Sequence, residues 1–109
     1  MYDKVKIKIW VNALRSGDYK QGHEALCYED QDGNTNYCCL GVYMKVVEGL
    51  EDKEMFEVKG SAVGPLPVYS DLRVKLGTNL VDRLCLMNDS YLERFNFNGI
   101  ADYIEKELL

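Results

Sequence analysis

Apolar residues early in the chain recur at the spacing of one helix face: Ile7, Trp10, Val11 and Leu14 stand at i, i+3, i+4 and i+7. Asp3 is placed to cap that helix, with Tyr2 and Ile7 meeting across the cap as a hydrophobic staple. Lys6, Lys8 and Asn12 fall on the wet side. Ser16-Gly17-Asp18 ends the element, since Gly17 suits the left-handed position after a helix. Residues 19–24 are polar and irregular. Residues 25–29 then read as a strand, Asp32-Gly33-Asn34 carries hairpin turn chemistry, and residues 35–38 form the returning strand. Two strands alone are marginal in water, so this hairpin must lean on helices or on a further strand.

From Cys39 the helical spacing returns. Leu40, Tyr43, Met44 and Val47 share one face with Val42 and Val46 beside it, so this helix is apolar over much of its girth and belongs at the centre of the core. Gly49 followed by Leu50 fits a glycine ending in which Leu50 packs back on the last turn. Residues 51–54 are charged and read as a solvated linker. Residues 55–59 alternate like a half-buried strand and could extend the hairpin, while residues 60–67 hold both prolines and read as an ordered loop or lid.

Three short helices complete the pattern. Ser70 or Asp71 starts the first, which runs through Leu76 and stops at Gly77. Asn79 caps the second, turning Leu80, Leu84, Cys85 and Met87 inward until Asn88-Asp89-Ser90 breaks it. Asn96 caps the last, with Phe95 and Ile100 in staple positions and an apolar stripe of Phe97, Ala101, Ile104 and Leu108. The fold class expected is α+β: a mostly helical single domain over residues 1–109, with a small antiparallel sheet packed on helices.

Composition narrows the function classes. At 109 residues, with 47% hydrophobic and 28% charged side chains, the chain has ordinary globular composition and the size of one domain. No apolar run approaches the roughly 20 residues that cross a bilayer, and the N-terminus lacks the basic start and apolar stretch of a signal peptide. A cytoplasmic protein with no membrane partner is the expectation. The net charge of −5 argues against nucleic acid, whose binding rests on cations that neutralise phosphates. The charges are mixed, with no long acidic block, so they describe a solvated surface better than a mimic of DNA. The four cysteines include an adjacent pair, Cys38-Cys39, but no Cys-x-x-Cys spacing, and His23 is the single histidine. Neither a disulfide framework nor a zinc site is expected, nor any cofactor; buried thiols packing as small hydrophobes are the plainer account.

Three clusters are candidates for chemistry. Cys38 and Cys39 lie at an expected helix N-terminus, where dipole and free N–H groups lower a thiol pKa, and His23 is the available base, with Gln21 as an oxyanion donor. Arg15, Tyr19, Gln21 and Gly22 combine a bidentate donor, an aromatic platform and an amide, which suits an anionic or nucleotide-like ligand. Asn88-Asp89 either caps and turns the chain or offers Asp89 to a ligand amine or to Arg15. Arg15, Tyr19, Gln21, Asn88 and Asp89 are therefore the ligand-binding candidates, and Cys38, Cys39 and His23 the catalytic ones.

The motifs themselves resemble a family of small proteins common in bacteriophages and prophages. The resemblance runs through Trp10-Val11-Asn12-Ala13-Leu14-Arg15-Ser16-Gly17, on through residues 18–22, then Tyr37-Cys38-Cys39-Leu40-Gly41-Val42, Leu66-Pro67 and Leu86-Met87-Asn88-Asp89. It ends in Phe97-Asn98-Gly99-Ile100-Ala101-Asp102-Tyr103-Ile104. Residues 90–94 depart from the family's short glycine-containing turn. The resemblance implies a phage-associated cytosolic domain and carries no activity with it. The expectation is a non-enzymatic binding protein for a host protein or small molecule, acting in host takeover or anti-defence. A small cysteine-dependent enzyme and a minor virion component are the alternatives. The tyrosine and methionine content is compatible with a homodimer.

Overall fold

The fold is known from a computed structural model, which describes residues 2–23, 25–55, 66–89 and 95–109. Helix α1 (Lys4–Arg15) begins where Asp3 accepts from the amides of Val5 and Lys6, and buries Ile7, Trp10, Val11 and Leu14. Gly17 (φ 81°) follows its end. The chain continues through β1 (Lys20–Gln21), β2 (Cys27–Glu29) and β3 (Thr35–Tyr37), then α2 (Cys39–Val46). After α2 come α3 (Asp52–Met55), α4 (Leu66–Leu76), α5 (Thr78–Asp89) and α6 (Phe97–Leu108). A mostly helical α+β domain is what the periodicity indicated.

The sheet differs from expectation in one respect: it is mixed. β2 and β3 form the hairpin, with Tyr28 opposite Asn36 in an antiparallel register. The third strand is β1, which lies parallel to β3 with Lys20 opposite Asn36 and Gln21 opposite Tyr37. The hairpin leaves the outer edge of β3 open, and the segment leaving α1 fills it; Gly22 N donating to Tyr37 O at 2.7 Å carries the pairing one residue further. Asp30 holds the turn, accepting from the amides of Asp32 and Asn34 with one oxygen and from Lys20 and Asn36 with the other. Lys20, foremost, keeps the Asp30 carboxyl well below the usual carboxylate range.

The expected strand over 55–59 gives way at its start, because Met55 is the buried last residue of α3. Glu54 accepts from the amide of Glu51 at 3.1 Å, one half of a capping box, and so turns the expected linker into a helical turn. Residues 56–59, and the expected loop as far as residue 65, lie outside the described residues. α4 begins at Leu66 and not at Ser70: Pro67 stands in the first turn, where a missing amide hydrogen costs nothing. Gly77 (φ 90°) alone separates α4 from α5, and its carbonyl accepts from Val81, which leaves Asn79 inside the helix and not at its cap. α5 ends at Asp89, inside the expected break over residues 88–90, and Asn88 and Asp89 form its last turn; residue 90 lies outside the described residues.

At the centre, Cys39 to Met44 of α2 are all buried. α1 packs most extensively on α6 and also on α2, while α5 joins α2 to α4. Trp10 donates through Nε1 to Cys39 O at 2.9 Å and meets the Tyr43 ring edge-on at 4.9 Å. Gly41 is required by this arrangement: a Cβ there would stand 2.1 Å from the carbonyl oxygen of Leu26. Gly49 (φ 76°) turns the chain after α2, and Leu50 N returns to Met44 O. Tyr2 reaches across to the end of α4, its hydroxyl donating to Leu76 O at 2.6 Å.

Candidate functional site

Asn88 joins the sheet, α2 and α5. Its side chain is fully buried, and every one of its bonding positions is used. Oδ1 accepts from Gln21 Nε2 at 3.0 Å and from the amide of Cys39 at 3.3 Å; Nδ2 donates to Gly22 O at 2.8 Å and to Asp89 Oδ1 at 2.6 Å. His23 donates through Nδ1 to the backbone carbonyl of Asn88 at 2.7 Å, since a carbonyl can only accept, and Asp89 Oδ1 lies 4.0 Å from the same nitrogen. The structure therefore brings Gln21, His23, Asn88 and Asp89 together. It leaves Asn88 with nothing to offer a ligand.

The cysteine pair is equally committed. Cys38 is the N-cap of α2, its sulfur accepting from Gly41 N at 3.4 Å, and Cys39 Sγ donates to Leu84 O at 3.8 Å. Both thiols are buried, and burial pushes each well above its ordinary pKa; the Gly41 amide acting on Cys38 pulls the other way and is outweighed. The lowering expected from the helix N-terminus is thus reversed, because a thiolate here would lose its water. Cys85, half-buried, is raised by burial to about 11. Gln21 spends its amide on Asn88 and, at 2.8 Å, on Phe95 O, so it is not poised as an oxyanion donor.

Arg15 lies elsewhere. Its guanidinium donates to Asp102 at 2.6 Å and to Glu105 at 3.1 Å, both on α6, and does not reach for Asp89. Tyr19 stands edge-on to Tyr37 at 5.3 Å. Arg15, Tyr19 and Gln21 nevertheless border one open hollow of about 260 Å³, between the C-terminal end of α1 and the start of α6. Leu14 and Phe97 supply its apolar part, and Asn96 and Asn98 complete the polar rim. Asn96 caps α6 through Oδ1, which accepts from Gly99 N at 2.8 Å. The sequence carried a signal for Asn96 as a cap; nothing in it placed Asn98 beside Tyr19. Among the described residues no cluster of histidine, cysteine and carboxylate groups could hold a metal ion. No described helix is long and apolar enough to cross a membrane.

A family model described as a domain of unknown function (DUF8296) matches residues 1–61, more than half of the 109-residue chain. The chain belongs to the DUF8296 family. Comparison with curated proteins and with solved structures finds no match. The DUF8296 match takes in α1, the sheet, α2 and α3, and with them Gly22, Gly41 and the cysteine pair. Asn88 and the α6 side of the hollow come from the part of the chain beyond it.

Proposed function

We propose that this DUF8296 protein is a non-enzymatic binding protein, and that the hollow between α1 and α6 receives a small polar molecule or one side chain of a partner protein. One observation supports this above the rest. Five hydrogen-bonding side chains, Arg15, Tyr19, Gln21, Asn96 and Asn98, surround an apolar patch of Leu14 and Phe97 in an open concavity. That mix of apolar floor and convergent polar groups is the usual make-up of a binding pocket, here a small one. The cysteine alternative has no such support, because both thiols of the pair are buried, raised in pKa and bonded internally. The resemblance to small bacteriophage and prophage proteins favours an accessory role in the host cytoplasm, in takeover or anti-defence, over a place in the virion.

Native mass spectrometry of the full chain purified gently from a bacterial host tests the reading. A discrete adduct, or a stoichiometric partner, is expected in the native spectrum, absent after denaturation and lost in Tyr19→Ala and Asn98→Leu. A bare chain whose mass and partners are the same in wild type and both variants would overturn it.

A further inference from the structure

The first helix carries three of its four basic residues at the wrong end. Lys4, Lys6 and Lys8 occupy the first two turns of α1, and no acidic residue lies in its first turn. A helix N-terminus bears partial positive charge, so cations there oppose the dipole and carboxylates would favour it. Among the described residues none of the three lysines has an ion-pair partner, whereas every other lysine or arginine is paired, Arg83 and Lys106 excepted. This happens in a chain of net charge −5, where carboxylates are plentiful. Helix stability gives no reason for the arrangement.

The same face exposes two aliphatic side chains one turn apart, Val5 at 68% and Ile9 at 44%. They stand opposite the buried stripe of Ile7, Trp10, Val11 and Leu14, so the face is a short apolar strip set among unpaired cations. We infer that the outer face of α1 docks an acidic amphipathic segment of another protein, whose carboxylates meet Lys4, Lys6 and Lys8 while an aliphatic ridge covers Val5 and Ile9. Charge complementarity selects this occupant. Two aliphatic residues are too few to seat a helix in the acyl boundary of a membrane. A second copy of the chain docked through this face would set the same lysines against one another and would bury too little apolar area for a stable dimer. The face is separate from the α1–α6 hollow, so the two readings stand or fall independently.

Titration of the full chain, followed by amide NMR shifts, tests the inference. The probe is a synthetic helical peptide in which glutamates flank a leucine stripe. Signals of residues 4–12 are expected to move while those of Tyr19 and Asn98 stay in place, and affinity should fall roughly tenfold from low to high ionic strength. The variant K4E/K6E/K8E should lose binding while its Tm holds or rises, because the new carboxylates suit the helix dipole. Lys8→Glu alone, in the second turn, should weaken binding in part and serves if the triple variant misfolds. Unmoved signals, shifts that survive charge reversal, or an equal response to a peptide with lysine in place of glutamate would overturn the inference. Preferential binding to phosphatidylserine vesicles, or self-association through residues 4–12, would do the same.

Discussion

Replacing Asn88 by alanine should be among the most damaging single changes in this protein, although the residue touches no ligand. The substitution removes the acceptor of the Cys39 amide and the donor to the Gly22 carbonyl, both in buried residues. Each buried polar group left without a partner costs about 1–3 kcal/mol, so two of them come to roughly 2–6 kcal/mol. Against a total stability of about 5–15 kcal/mol for a domain, this is a large fraction. Gln21→Ala makes the matched comparison. It removes one bond to Asn88, whose Oδ1 keeps the Cys39 amide, and one to the carbonyl of the exposed Phe95, so about 1 kcal/mol is expected. Urea unfolding followed by fluorescence suits the case, because Trp10 is the chain's one tryptophan and is fully buried. A loss for Asn88→Ala no greater than that for Gln21→Ala, or below about 1 kcal/mol, would refute the claim that buried amide bonding holds the sheet to α2 and α5.

Gly41→Ala should cost more than about 3 kcal/mol or prevent folding, since its Cβ meets the Leu26 backbone at 2.1 Å, whereas Gly49→Ala meets nothing among the described residues within 4 Å and pays for its positive φ, about 1–2 kcal/mol; similar thermal shifts for the two would contradict this. Iodoacetamide at neutral pH, read by peptide mass spectrometry, should leave Cys38 and Cys39 unmodified in the folded protein and reach the half-buried Cys85 first; fast labelling of either adjacent thiol would revive the cysteine mechanism. Stability should fall at alkaline pH. Burial, then the bond to Asp52, raises Tyr37 from 10.0 to about 12, and burial, then the Glu48 charge, raises Tyr43 likewise. The folded state favours the protonated phenols, so their contribution is complete below about pH 10 and is lost as pH rises through about 12. A urea midpoint that holds steady over that range would refute the assignment.

How much of this was legible in the sequence depends on the range over which each interaction acts. α1 and α6 were readable nearly residue by residue, because their caps, Asp3 and Asn96, and their apolar stripes are local signals. α2 was readable as the central element from its unbroken apolar girth. β1 was not: two polar residues have no periodicity, and only the open edge of β3 makes Lys20–Gln21 a strand. The cysteine pair shows the limit most plainly. Position at a helix N-terminus is a local property and argued for a lowered pKa, but the burial that overrides it comes from α1, α5 and β3 closing around α2, which spacing does not reveal. Asn88 and Asp89 looked like a turn because an Asn-Asp pair usually bonds its own backbone. Here the Asn88 side chain instead reaches Gln21 and Gly22, more than sixty residues away in the chain. The five ligand candidates accordingly separate into two groups, Asn88 and Asp89 with the interior network, Arg15 and Tyr19 with the hollow, and Gln21 is the residue that touches both. If the hollow is occupied, Gln21 is, among the described residues, the side chain through which an occupant would be felt at the Asn88 junction, and a ligand-dependent change in the Asn88 side-chain amide signals would be its signature.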